Sequence, residues 1–214
     1  MFSDAYITIE NAAAIELAQK VSAKLDGSDF DPSHSRLISH VLPFYNGGYH
    51  LCEMTDLENT PNRQISFIYK ENGAKDDIYI LDGTNEPIYL LNKKLPIFIN
   101  KNNVVTYVQF FFHYVRGRHG RFNIIENIDE ISWREEPSPA GRSSLERMIQ
   151  PLTLKESNDV QDDKNEDYHL SCSIIFKDSL FESDIIVKEN GDVSLSNQEM
   201  LVEDIPILDD SFQQ

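Results

Sequence analysis

Twelve consecutive residues, Val104 to Val115, constrain this chain most. Nine of them are Val, Phe or Tyr, and the interruptions at Thr106, Gln109 and His113 line up with Asn102 and Arg116 as a narrow polar stripe. A segment of this length and polarity is too short to cross a bilayer. Apolar around most of its circumference, it reads as a helix over about 102–115 that lies buried at the centre of a fold. Asn100 or Asn102 is placed to cap its start. Gly117 is placed to close it in the left-handed conformation, and the helix is expected to pack across a sheet.

The surroundings supply that sheet. Tyr49–Thr55, Ile65–Lys70, Asp77–Leu81 and Pro87–Leu91 read as strands, with turns at Asn72-Gly73 and Asp82-Gly83, so an antiparallel meander over 49–99 is expected. Pro96–Ile99 reads as one more short strand. Before the meander, residues 9–25 read as a helix with Ile9, Ala13, Leu17, Val21 and Leu25 on one stripe. Residues 28–35 read as a polar loop, and Arg36–Phe44 as a short helix or strand. After the central helix, Phe122–Glu126 reads as a strand, Glu135–Gly141 as a linker with two prolines, and Arg142–Gln150 as a short helix begun by Ser143 or Ser144. Lys155–Asp167 is charged and reads as mobile.

Tyr168–Phe176 alternates, with Tyr168, Leu170, Cys172, Ile174 and Phe176 on one face. With Phe181–Lys188 and Val193–Leu195 it forms a three-stranded meander, and the first part of the tail 200–214 is expected to dock. The fold class is therefore α+β, mostly antiparallel. It divides into a body over 1–135, a linker and short helix over 136–167, and an acidic meander and tail over 168–214 packed on the body as one domain. The string Lys-Glu-Asn-Gly occurs at 70–73 and again at 188–191, each time after a strand.

Charge narrows the partners. The chain of 214 residues carries a net charge of −17. Residues 155–214 hold 16 acids against 4 bases, net −12, which leaves −5 for the first 154. Such a field repels phosphate backbones and anionic lipid, so neither nucleic acid nor a membrane is expected as partner. Cys52 and Cys172 form no disulfide framework or zinc spacing, which fits a reducing, cytoplasmic compartment. Met1–Glu10 lacks the basic and apolar regions of a secretion signal.

Within this acidic chain, Arg116-Gly117-Arg118-His119-Gly120-Arg121 concentrates three of eight arginines. Guanidinium forks suit carboxylate or phosphate, and the glycines admit close backbone approach. His113 lies one helical turn before Arg116. His113, Arg116, Arg118, His119 and Arg121 are thus the candidate anion-binding residues. The structural alternative has these cations satisfying the helix C-terminus or pairing with Glu126, Asp129 and Glu130. His50 and Cys52 share a strand face and form a possible thiol dyad. Asp29, Asp31 and His34 make a loose acidic cluster that fails the calcium-loop spacing. No metal, cofactor or catalytic motif is expected.

Thr84–Tyr89, Leu95 and the run Tyr107–Phe122 (YVQFFFHYVRGRHGRF) resemble a group of uncharacterised proteobacterial proteins. The resemblance implies a bacterial source and a recurring helix with a basic end; it implies no activity. The leading reading is a non-catalytic binding or protein-interaction domain, its partner another protein or a second copy. The alternatives are an enzyme or sensor for a small anionic metabolite at Arg116–Arg121, and an acidic antagonist of a basic partner such as a nuclease or toxin.

Overall fold

Alternating side chains from Tyr49 onwards build the first sheet. A computed structural model describes residues 6–25, 34–58, 60, 62–71, 73, 77–117, 119–155 and 167–208. The chain clusters into two compact units, one of Met1–Asp82 with Lys94–Pro96 and one of Gly83–Lys93 with Ile97–Gln214. The fold is α+β, with two antiparallel five-stranded sheets. Among the described residues no helix is long and apolar enough to cross a membrane.

In the N-terminal unit β1 (Tyr6–Ile9), β2 (Ser35–Val41), β3 (Tyr49–Asp56), β4 (Arg63–Lys70) and β5 (Ile78–Leu81) pair in chain order. Helix α1 (Asn11–Ser22) sets Ala14, Leu17, Ala18 and Val21 against Leu37, Cys52, Met54, Phe67 and Ile78. This corrects the expected helix over 9–25. Ile9 belongs to β1, opposite Leu37, and Asn11 takes φ +58° at the start of the helix. The expected stripe advanced by four residues each time, which drifts about 40° per step around a helix of 3.6 residues per turn. Alternating steps of three and four, as at 14, 17, 18 and 21, stay on one face. Arg36–Phe44 resolves as strand through Val41. Asn72 and most of the 28–35 loop lie outside the described residues, as do Asp29 and Asp31.

In the C-terminal unit, α2 (Glu86–Lys94) and α3 (Val104–Tyr114) precede β6 (Phe122–Ile125), α4 (Pro139–Glu146), β7 (Thr153–Leu154), β8 (Tyr168–Phe176), β9 (Ser179–Val187) and β10 (Val193–Val202). The sheet order is β10-β9-β8-β6, with β7 also on β8. The expected three-stranded meander is therefore present, extended by two strands. The expected strand Pro87–Leu91 is instead α2, so the 49–99 meander ends at Leu81. Pro87 sits in the first helical turn, where its missing N–H costs nothing, and Ile88 and Leu91 bury one face. Pro96–Ile99 forms no named strand. Asn103 uses its side chain to receive the Asn100 N–H (2.8 Å) and to reach the Phe98 carbonyl (2.7 Å), ordering the approach to α3 without a side-chain cap.

Helix α4 begins at Pro139, three residues before the expected Arg142. Ser138, rather than Ser143 or Ser144, caps it by accepting the Gly141 N–H. Much of the expected mobile run, 156–166, lies outside the described residues. The tail docks as expected as far as it is described. Ile205 and Ile207 are buried with Ile125, Ile128, Ile131, Ile175 and Leu180, Ile207 bridges to Trp133, and Leu208 N–H donates to the Ser132 carbonyl.

Tyr107, fully buried on α3, ties the unit together. Its hydroxyl donates to the Gly191 carbonyl at 2.6 Å and accepts from Asn92 Nδ2 at 3.0 Å. Tyr107→Phe removes the donor to the buried Gly191 carbonyl and the acceptor of the Asn92 amide. It is expected to cost about 1–3 kcal/mol in urea unfolding followed through the single Trp133.

Candidate functional site

The basic corner begins where α3 stops. Val115 is extended, its N–H returning to the Phe111 carbonyl. The Arg116 N–H donates to the Gly83 carbonyl at 2.7 Å, and the Arg116 stem runs beside Gly83. Gly117 and Gly120 then pair across a tight turn that leads into β6. Gly117 is not the left-handed cap expected from the sequence. Its constraint is space: a Cβ there would stand 2.7 Å from the Phe122 ring, which stacks on Phe176 at 4.5 Å.

Beside this turn lies a cavity of about 300 Å³. Phe111, Phe112, Val115, Phe122, Val193 and Leu195 form its apolar walls. Thr84 and Asn85, at the N-terminus of α2, bring hydrogen-bonding groups and the positive end of a helix dipole. Arg116 is the one charged residue among the described residues that line it.

The other candidates do not converge on this cavity. His113 is half-buried with its ring edge-on to Tyr114 at 4.6 Å. His119 is exposed and Arg121 half-buried, and neither lines the cavity. Arg118 lies outside the described residues. The neighbouring acids have partners of their own. Asp129 pairs with Arg142, Glu126 receives Gln109 Nε2, and Glu130 receives Asn127 Nδ2 and the Glu126 N–H.

The thiol dyad does not form either. Cys52 is fully buried, and burial, reinforced by Glu53, pushes its thiol pKa far up, away from the thiolate that nucleophilic chemistry needs. His50 turns instead to Ser39, whose Oγ lies 3.2 Å from Nδ1 and 3.2 Å from the Tyr69 hydroxyl. The three residues come from β2, β3 and β4, where His50 stands directly opposite Tyr69 and Ser39 opposite Cys52. The His50 and Tyr69 rings lie 5.4 Å apart, and His50 Nε2 is 3.9 Å from Glu71 Oε2. Burial raises the Tyr69 pKa, only partly offset by the bond to Ser39, so this hydroxyl stays protonated. Sequence reading missed this chain because its members are 11 and 30 residues apart. The available signal was the shared period-2 face of three strands.

His34 pairs with Glu58 at 3.1 Å, and among the described residues no cluster of three or more His, Cys, Asp or Glu is arranged to hold a metal ion. Set against protein-family models, curated proteins and solved structures, the chain has no match.

Proposed function

We propose that this is a non-catalytic binding protein of the bacterial cytoplasm, whose C-terminal unit takes a small carboxylate with an apolar body. The observation that carries the reading is the cavity in which aromatic and aliphatic walls surround a single charged side chain, Arg116. Pockets of this size and composition hold drug-sized ligands by apolar contact and orient them with few polar groups. A guanidinium offers a carboxylate two parallel hydrogen bonds, and the start of α2 favours the same charge. Two buried free thiols, Cys52 and Cys172, support the reducing compartment. Exposed Tyr6, Ile7 and Val41 support contact with another protein or a second copy.

Calorimetric titration with benzoate and octanoate tests the carboxylate site. Arg116→Gln keeps the backbone bond to Gly83 while deleting the charge. It is expected to weaken binding by about 10-fold or more, as loss of a charged hydrogen bond predicts, with Arg116→Lys intermediate. Equal affinity in wild type and Arg116→Gln, or no binding of either acid at millimolar concentration, would overturn the assignment.

A further inference from the structure

The N-terminal unit holds a cavity of its own, about 420 Å³, lined by β1, α1 and one face of the sheet. Ile7, Ile9, Leu17 and Ile78 supply apolar surface. The Tyr69–Ser39–His50 chain supplies polar atoms. Ser39 is 2% exposed and its hydroxyl is held from both sides, so this part of the lining is built and rigid rather than an accident of surface side chains.

The charge balance of the lining decides what it can accept. Its two lysines do not balance its three glutamates, Glu10, Glu16 and Glu71. Lys20 Nζ pairs with Glu16 at 2.8 Å and also reaches the Gly73 carbonyl. Lys70 Nζ lies over the Tyr49 ring, 5.9 Å from its centre. The carboxylates are less well matched. Among the described residues Glu10 has no cationic partner, and Glu71 has only the His50 ring at 3.9 Å. The uncompensated charge in the cavity is therefore negative, and a chain of net charge −17 deepens it. An anion brought here would meet three glutamates against two lysines, one of which, Lys20, is already paired with Glu16. A cation would find carboxylates, an aromatic pair in His50 and Tyr69, and apolar walls for its body.

We infer that this cavity is a binding site for a small organic cation, a primary amine or guanidine carried on a short apolar group, with Glu71 as its counter-ion. The Tyr69 and His50 rings flank the charged end, and the apolar end packs on Ile9, Leu17 and Ile78. Ligand class thus separates this site from the Arg116 cavity, which favours the opposite charge.

Backbone amide NMR with benzylamine, benzyl alcohol and benzoate as probes tests the inference. Benzylamine is expected to shift the amides of Ser39, His50, Tyr69 and Glu71, and to bind about 2- to 5-fold more tightly than its neutral isostere, benzyl alcohol, the factor that one partly exposed charge pair provides. Benzoate is expected to leave those amides unmoved. Glu71 is largely exposed, so Glu71→Gln is a folded variant, and it is expected to erase the preference for the amine over the alcohol. Equal binding of benzylamine and benzyl alcohol by wild type, an unchanged preference in Glu71→Gln, or no response of these amides to millimolar benzylamine would each overturn it. Arg116→Gln is expected to leave benzylamine binding unchanged, so failure at either cavity is read separately from the other.

Discussion

Gly191→Ala is expected to destabilise the C-terminal unit by about 2–5 kcal/mol, the sum of a left-handed backbone penalty of about 1–2 and overpacking of about 1–3. Gly191 has φ +80° in the turn between β9 and β10. A methyl group there would stand 2.7 Å from the Tyr107 hydroxyl and 3.0 Å from Ile97 Cδ1, and nearer still to the Asn92 amide. Of these, the Tyr107 hydroxyl and the Asn92 amide are held by hydrogen bonds. Tyr107 and Asn92 are fixed by each other and by the Gly191 carbonyl, so the methyl cannot be accommodated without breaking the bonds that hold the turn. Gly83→Ala is the matched control. Its φ of +86° carries the same backbone penalty, but its nearest neighbour would be Arg116 Cδ at 3.7 Å, an ordinary contact. Urea unfolding followed by Trp133 fluorescence reports both. If Gly191→Ala costs no more than Gly83→Ala, the tight packing at the turn is wrong.

Phe67→Ala is expected to cost the N-terminal unit about 3–5 kcal/mol, the range for deleting a buried aromatic ring. Phe67 is fully buried at the centre of β4, between Cys52 and Ile80 in the register, and shares a cluster with Leu17, Val21, Leu37 and Met54. The residues around it stand on paired strands and a helix laid over them, so the walls have little freedom to close on the void. Trp133 belongs to the other unit, so the loss is to be read by hydrogen exchange at β3 and β4 amides. A change below about 1 kcal/mol would show that α1 and the sheet repack around the hole.

The correspondence between residue pattern and structure was closest where one period ran unbroken. Tyr168–Phe176 alternates and is a strand; Val104–Tyr114 is apolar nearly all round and is a buried helix. Patterns failed where a short apolar run fits two periods. Pro87–Leu91 was read as a strand, yet Ile88 and Leu91 are three apart and share the buried face of α2. Helix starts were misjudged where proline and serine stood together, since Ser138-Pro139 is a cap and first turn rather than part of a linker.

The basic corner shows the same division in the candidate site. Composition alone marked Arg116–Arg121 as exceptional in an acidic chain. Which member meets a cavity depended on the path after α3, where the Arg116 amide is tied to Gly83 and the Gly117–Gly120 turn carries the chain on towards β6. Likewise, His50 and Cys52 share a strand face by parity, but residues two apart along a strand are separated by about 6.6 Å. Ser39, opposite Cys52 and therefore diagonal to His50 on the same face, is the residue whose hydroxyl reaches His50 Nδ1, although it is remote in sequence.

The amino-acid order by itself determined the α+β class, the buried α3, the C-terminal meander and the acidic weighting of the last 60 residues, because each follows from local periodicity or composition. Only the tertiary structure decided that 86–94 is helical, that Gly117 is required by the Phe122 ring, and that two cavities form, one lined by Arg116 and the other by three glutamates and two lysines. Those depend on side chains from separate elements meeting in space, and strand register and helix packing set that meeting.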